Sequence, residues 1–114
     1  MLEQKNPLIL AFIGDAVQTL YVRAGLADKD AKLAELHKLA SSKVCAKAQS
    51  EHLAKVQDTF SATEQDIANR ARNCGHHTLP KNADPADYHR ATALEAVIGY
   101  NYLAGNIKRV EELV

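Results

Sequence analysis

The stretch NPLILAFIGDAVQTLYVR, from Asn6 to Arg23, decides the fold of this chain. It predicts a single helix, because Asn6 is a favourable N-cap and Pro7 suits the first helical position, where its missing N–H is no loss. From Leu8 to Val17 apolar residues occupy every helical face, and Asp15 is the only polar side chain. We therefore expect a buried helix at the centre of the domain rather than a helix on its surface.

Two neighbouring residues inside this helix, Gly14 and Asp15, are locally unfavourable. Glycine in a helix interior costs roughly 1 kcal/mol relative to alanine. A buried carboxylate is costly unless another group compensates its charge. Such a pair indicates a functional site. The structural alternative is that Gly14 lets another helix pack closely and that Asp15 pairs with an arginine or a lysine, and this stretch alone leaves both open.

Length and charge limit the classes of protein to consider. A chain of 114 residues predicts one domain with a real core. Lys+Arg and Asp+Glu both total 14, so the formal net charge is zero. Bulk charge therefore indicates no nucleic-acid or membrane partner, and binding to either would depend on a local patch.

Apolar runs and cysteines indicate the compartment. The longest unbroken apolar run, Leu8 to Ile13, is too short to span a bilayer, and no secretory leader precedes it. The two cysteines, Cys45 and Cys74, match no disulfide framework and fit a reducing environment. We expect a cytoplasmic protein.

The remaining pattern is helical, which predicts an all-α fold. Alanine is abundant, and no alternating β-branched run occurs. A helical pattern runs from about Asp30 to Gln57, and Ser41-Ser42 could divide it into two helices. Ser61 and Glu64 form a capping-box pattern that predicts a further helix, ending near Gly75.

A second mostly apolar helix is predicted from Asp84-Pro85 to about Leu103, with Gly105 as its stop. Between Ala91 and Leu103 its one carboxylate is Glu95, and Gly99 follows one turn later on the same face. Asn106 is the expected cap of a last short helix, whose pattern is still running at the final residue.

Asp15 and Glu95 would come together if the two apolar helices cross near their glycines. Neighbouring carboxylates repel each other unless they share a proton or hold a cation. With oxygen ligands alone the natural cation is Mg²⁺ or Mn²⁺, completed by waters and substrate phosphate. Such a site suits phosphodiester hydrolysis, because the metal activates water and stabilises charge on the leaving oxygen. Paired helix acids can also simply meet basic partners.

Two blocks together, IGDAVQTLYVR (Ile13 to Arg23) and ATALEAVIGYNYL (Ala91 to Leu103), resemble the ribonuclease III catalytic domain. The segments LHKLASSKVCAKAQ (Leu36 to Gln49) and LPKNADPADYHRAT (Leu79 to Thr92) resemble its mini-ribonuclease III branch. The likeness extends over most of the chain in the right order. It implies one catalytic domain over residues 1–114, without a separate double-stranded-RNA-binding module, that works as a homodimer.

The resemblance also implies an activity and its residues. The activity is Mg²⁺-dependent cleavage of double-stranded RNA, here precursor of large-subunit ribosomal RNA, with Mn²⁺ as a substitute and no nucleotide cofactor. Asp15 and Glu95 match the acids that hold the metal, and are the expected catalytic residues. The larger family has two further acids one turn earlier, and Ala11 and Thr92 stand at those positions. Waters would have to complete the metal shell.

The irregular stretch from Gly75 to Asp84 and its flanks are the candidate RNA contact, because arginine and lysine suit phosphates. Asn82 or His77 could touch base edges or 2′-hydroxyls. The alternative is a solvated loop in which Arg70 or Arg90 neutralises a core acid. The predicted RNA-binding residues are Arg70, Arg72, His77, Lys81, Asn82 and Arg90.

Two other interpretations remain open. Cys74, His76, His77 and His89 could suggest a zinc site, but their spacing matches no common zinc pattern. Cys45 is expected inside a helix as a small apolar filler. As a function, the alternative to a nuclease is a non-cleaving RNA-binding or ribosome-assembly module on the same fold, which the loss of two acids would favour.

Overall fold

The computed structural model describes residues 1–74, 79 and 83–114 of the chain. Six α-helices and no strands occur within these residues, which confirms the all-α prediction. The helices are α1 (Pro7–Gly25), α2 (Leu33–Val44), α3 (Ala46–Val56), α4 (Ala62–Asn73), α5 (Pro85–Leu103) and α6 (Ile107–Leu113). Short 3₁₀ turns at Leu2–Gln4 and Gln57–Thr59 precede α1 and α4.

The two long helices begin at their predicted caps. The Leu8 N–H donates to the Asn6 side chain over 2.9 Å at the start of α1. The Ala86 N–H donates to Asp84 over 2.9 Å at the start of α5. Both helices carry proline at the first position. Gly105, just after α5, has a φ of +82°, the left-handed conformation that glycine adopts without strain.

Of the shorter helices, α4 begins with the predicted cap, whereas α6 lacks a side-chain cap bond. Helix α4 has the full capping box, with the Glu64 N–H donating to Ser61 Oγ and the Ser61 N–H donating to Glu64 Oε1. Asn106 does precede α6, but its side chain makes no cap bond there. It donates instead to Asn101 Oδ1 over 3.1 Å, so Asn106 occupies the predicted N-cap position without a side-chain capping bond.

The long helical pattern is divided at Cys45 rather than at Ser41-Ser42. Cys45 is extended, with φ −67° and ψ 159°, and separates α2 from α3. Ser42 lies inside α2, and its hydroxyl donates back to Leu39 O over 2.7 Å, a bond that a helix tolerates. Cys45 is exposed at the corner, so its expected role as an apolar filler inside a helix is wrong.

Helices α1 and α5 touch backbone to backbone at two glycines. A Cβ added to Gly14 would lie 1.7 Å from Glu95 O, and one added to Gly99 would lie 1.9 Å from Leu10 O. Real Cβ atoms do not approach that closely, so only glycine allows this crossing. Both glycines are therefore explained by close packing, and that packing places Asp15 beside α5.

The buried centre of the molecule is α5, not α1. Ala93, Leu94, Val97 and Ile98 on α5 are fully buried and pack with Leu10 of α1. The opposite side of α1 is open. Its large apolar side chains Ile9, Phe12 and Leu20 are 47%, 76% and 63% exposed.

The expectation that α1 is buried on every face is thus wrong for the single chain. Nothing among the described residues covers its outer side.

Helix α1 is also long and apolar enough to cross a membrane, judged by length and composition alone. The core helix of a globular protein passes the same test, and the Gly14 side of α1 is packed tightly on α5.

Glu64 ties α4 to the C-terminal part of the molecule. It is 5% exposed and accepts bonds of 2.9 Å from the side chains of Asn101 and Arg109. Burial alone would raise the pKa of Glu64, but the hydrogen bonds from Arg109, Ser61 and Asn101 and the charge of Arg109 hold it below its ordinary value. A residue predicted only as part of a cap is also the acid of a buried ion pair.

Candidate active site

The two acids singled out in the sequence share one pocket. Asp15 reaches it from α1 and Glu95 from α5, next to the glycine crossing that brings these helices together. The pocket has a volume of about 290 Å³ and opens to solvent. Its lining residues are Leu8, Ala11, Phe12, Asp15, Tyr88, Thr92 and Glu95.

The environments of the two carboxyl groups differ. Asp15 is exposed, whereas Glu95 is half-buried. Burial raises the pKa of Glu95 to about 8, and the neighbouring Asp15 carboxyl acts in the same direction through a hydrogen bond and through its charge. A hydrogen bond from Gln49 opposes this rise in the pKa. Without a cation, Glu95 therefore keeps its proton at neutral pH, which relieves the repulsion between neighbouring carboxyl groups.

Gln49 is a site residue that the sequence analysis missed. Its Nε2 donates to Glu95 Oε2 over 3.3 Å and to Val44 O over 3.0 Å. The available signal was its place on α3, where it shares a helical face with Leu53 and Val56. A polar residue on an otherwise apolar face is a reason to look for a buried polar partner.

The positions without acids also face the pocket. Ala11 and Thr92, one turn before Asp15 and Glu95, both line it. The Thr92 hydroxyl donates to Tyr88 O over 3.0 Å, back into its own helix. The pocket thus contains two carboxylates, one from each helix, among the described residues that line it.

The basic residues around the loop have unequal freedom. Arg70 pairs with Asp66 over 3.1 Å and also donates to the Glu3 carbonyl. Arg90 lies 3.9 Å from Asp87, and its side chain is half exposed. Neither arginine neutralises a core acid, because the buried acid that the structure pairs with an arginine is Glu64, through Arg109.

Arg72 and Arg90 lie together in a second cleft, beside Asp87 of α5 and a stretch of α3. Arg72 is half-buried, and Cys74 after it carries a free thiol. The predicted RNA-binding residues His77, Lys81 and Asn82 lie outside the described residues, as does His76 of the alternative zinc site. Within the described part of the chain, no group of three or more His, Cys, Asp or Glu side chains could hold a metal ion.

Comparison with known proteins decides the family. A model of the ribonuclease III domain matches residues 8–106 of the chain. The mini-ribonuclease 3 of Thermoanaerobacter sp. (strain X514) is 43% identical over 110 residues, which cover 96% of this chain and 78% of that protein. The chain belongs to the ribonuclease III family. It falls in the mini-ribonuclease III branch and is an endoribonuclease of ribonuclease III type.

Other relatives agree with this assignment. The mini-ribonuclease 3 of Brevibacillus brevis is 44% identical, over 96% of this chain and 82% of that protein. That of Staphylococcus aureus is 41% identical, over 96% and 84%. A crystal structure of a Fusobacterium nucleatum protein superposes with a TM-score of 0.89 at 32% identity, covering 96% of this chain and 88% of the other. These names favour the nuclease over the non-cleaving RNA-binding module.

Proposed function

We propose that this ribonuclease III-type endoribonuclease is a cytoplasmic, Mg²⁺-dependent homodimer that cleaves double-stranded RNA to mature the precursor of large-subunit ribosomal RNA. One catalytic domain over residues 1–114 carries the activity, and Asp15 and Glu95 are its catalytic and metal-binding residues. The observation that carries the proposal is the pairing of these two carboxyl groups at the crossing of α1 and α5.

The donor set fits a hard divalent cation. Both acids offer only oxygen ligands, and the pKa of Glu95 is raised first by burial and further by the neighbouring Asp15 carboxyl, so a cation bound between them would stabilise the charged form. Magnesium is commonly bound by one or two carboxylates, with waters and phosphate oxygens completing its shell, and Mn²⁺ accepts similar ligands. When bound, such an ion supplies an activated water and stabilises charge on the leaving oxygen.

The RNA would contact the basic residues flanking the pocket's helices. Arg90 lies on α5, two residues before Thr92, and is half exposed, and Arg72 shares its cleft. Together they offer phosphate contacts in a chain whose net charge is zero. Arg70 is held by Asp66 and Glu3, so its contribution would require these bonds to open. His77, Lys81 and Asn82 complete the proposed RNA-binding set through the family resemblance.

The dimer is supported by the open face of α1. Ile9, Phe12 and Leu20 form an exposed apolar surface on a helix that also bears Asp15. Contiguous apolar surface of this kind marks protein interfaces in soluble proteins. A twofold interface would use this surface on both subunits and would double the basic area offered to a polyanion. Two active sites would then act on the two strands of one duplex.

The decisive experiment incubates the protein with a long RNA duplex, with and without Mg²⁺, beside the Asp15→Asn and Glu95→Gln variants. Cleavage is expected only for the unaltered protein with the divalent ion. Equal cleavage in EDTA would remove the metal from the proposal. Normal cleavage by both variants would remove the two acids from the active site.

A further inference from the structure

Gln49 connects the α2–α3 corner to the candidate metal site. Its side chain is 2% exposed, at the first turn of α3 after the chain bends at Cys45. The Nε2 group lies 3.0 Å from the carbonyl of Val44, the last residue of α2. The same group lies 3.3 Å from Oε2 of Glu95 on α5.

Only a donor with two hydrogens suits this position. Both neighbours of Nε2, the Val44 carbonyl and the Glu95 carboxylate, are hydrogen-bond acceptors. The flipped amide would point its own carbonyl oxygen at the Val44 carbonyl, which can only accept, so the orientation follows from that partner. Gln49 Oε1 is buried and has no hydrogen-bond partner among the described residues. An unpaired buried acceptor is unfavourable. The surroundings of Gln49 are therefore matched to its amide NH2 group, which has two partners, rather than to its amide oxygen.

We propose that Gln49 is a positioning residue for the Glu95 carboxylate in metal binding. This inference rests on the proposed function, because it requires the metal to bind Asp15 and Glu95. The terminal torsion of a glutamate is broad, so a carboxylate with no partner samples many orientations. A bond to Oε2 restricts that torsion and thereby sets where the other oxygen of Glu95 lies.

Restricting the orientation of Glu95 matters more in this site than in a site with four acids. Because each helix provides one carboxylate, each correctly placed oxygen is a large share of the ligands that the protein offers to the metal. Partners that orient a metal ligand commonly change metal affinity or activity by about 10–100-fold when they are removed. The competing explanation is that Gln49 only closes the α2–α3 corner through Val44, and the two explanations differ in what a substitution would change.

The test compares Gln49→Met with Gln18→Met. Methionine is similar in length and apolar, so Gln49→Met removes the donor while keeping most of the volume. Gln18 is the matched control, because it is a buried glutamine, 4% exposed, whose Oε1 also lacks a partner among the described residues. Titration calorimetry with Mn²⁺ on the RNA-free proteins gives the metal affinity directly. We expect about tenfold or greater weakening for Gln49→Met, and a change under about twofold for Gln18→Met.

The Mg²⁺ dependence of cleavage is a second measurement, and it would not change if Gln49 had a purely structural role. In Gln49→Met, the Mg²⁺ concentration for half-maximal duplex cleavage should rise by a similar factor. The rate at saturating Mg²⁺ should largely recover, and duplex binding in Ca²⁺ should be unchanged. In a Glu95→Gln background, Gln49→Met should weaken Mn²⁺ binding little further, because both changes act on one ligand.

Equal Mn²⁺ affinity in Gln49→Met and the unaltered protein would overturn the proposal, as would equal losses in Gln49→Met and Gln18→Met. If Gln49→Met does not fold, Gln49→Asn keeps a buried amide but withdraws its donor by one methylene, and the same loss of affinity is expected. If neither Gln49 variant folds while Gln18→Met does, Gln49 serves only to hold the α2–α3 corner, and the proposal is overturned. If the unaltered protein binds no Mn²⁺ and does not cleave, it is the proposed metal site that fails.

Discussion

At the scale of single residues, Asp15 and Glu95 are the two groups whose chemical role and whose effect on stability can both be tested. Each is the one acid in a mostly apolar stretch of its helix, and the fold places both in one pocket. The burial that raises the pKa of Glu95 to about 8 would destabilise its charged form unless a cation binds. Substitution and pH therefore test the same pair from two directions.

The amide variants Asp15→Asn and Glu95→Gln keep side-chain size but remove one charge each. We expect duplex cleavage to fall by at least about a hundredfold in either variant, since a lost ligand should cost more than a lost partner of a ligand. The double variant should fall little further, because residues that serve one site are strongly non-additive. Single-turnover cleavage of a labelled duplex measures both. Multiplicative losses would mean that the two acids act independently.

Stability of the metal-free protein should depend on pH through Glu95. In the folded state Glu95 keeps its proton up to about pH 8, whereas the unfolded chain loses it near the ordinary pKa of 4.5. The folded state thus binds more protons between these values, so the free energy of unfolding contributed by this group falls as pH rises through the window. Urea unfolding of the unaltered protein and Glu95→Gln at several pH values isolates the effect. A difference between them that stays constant with pH would contradict it.

At the scale of elements, the α1–α5 crossing positions the site, and the Glu64 ion pair joins α4 to α6. Both contacts depend on residues far apart in the chain. Gly14 meets the backbone of α5, and Gly99 meets the backbone of α1. Arg109 of α6 meets Glu64 of α4. Each contact can be tested by a substitution, with the same substitution at a position in different surroundings as its control.

Gly14→Ala should lower stability and weaken metal binding. A methyl group there would lie 1.7 Å from Glu95 O, so the helices must separate, and overpacking of this kind typically costs about 1–3 kcal/mol or more. Gly25→Ala is the control, since nothing lies within 4 Å of its added Cβ at the end of the same helix. It should be neutral or slightly stabilising, because alanine favours helix. Thermal unfolding with and without Mn²⁺ measures both effects, and equal behaviour of the two variants would refute the close crossing.

Glu64→Gln should destabilise by about 2 kcal/mol or more, because it leaves the Arg109 charge without its buried partner. Glu112→Gln is the control: its carboxylate also lies 3.0 Å from Arg109, but its side chain is 53% exposed, so its removal should cost under about 1 kcal/mol. Because the pKa of Glu64 is lowered by folding, its contribution is present above the ordinary pKa and is lost as pH falls. Chemical denaturation at pH 7 and at pH 3 checks both the size and the sign, and equal costs at pH 7 would argue against a special role for Glu64.

At the scale of the whole molecule, the open face of α1 and the zero net charge both support the proposed dimer. An apolar helix side that no described residue covers needs a partner surface. In the proposed homodimer, a second copy would supply the same surface and a second active site.

Light scattering at micromolar concentration should therefore give the mass of two chains. Leu20→Glu, on the open face, should shift the protein to monomer and lower the rate of duplex cleavage, because a charge in an apolar interface is costly. Leu33→Glu is the control: Leu33 is 69% exposed, comparable to Leu20 at 63%, but it lies on α2. It should remain dimeric. A monomeric unaltered protein, or a dimer unaffected by Leu20→Glu, would exclude this interface.

Short-range chemistry made much of this protein readable from its sequence. The caps at Asn6, Asp84 and Ser61 act on N–H groups two or three residues away, so local sequence determined where α1, α4 and α5 begin. Each acid was conspicuous because it lies in an apolar helix near a glycine. A lone acid beside a glycine in an apolar pattern was therefore enough to single out Asp15 and Glu95, whereas the crossing that brings them together was only a conditional expectation.

Long-range contacts were decided only by the tertiary structure. Gln49 approaches Glu95 across 46 positions of sequence, and Glu64 reaches Arg109 across 45. A helical pattern reports which face is apolar but not which element covers it, so the all-apolar α1 was expected to be buried although one of its sides is open. The corner at Cys45 likewise depends on how α2 and α3 pack. Local propensities set the helices, whereas the neighbour that each side chain meets is a property of the whole fold.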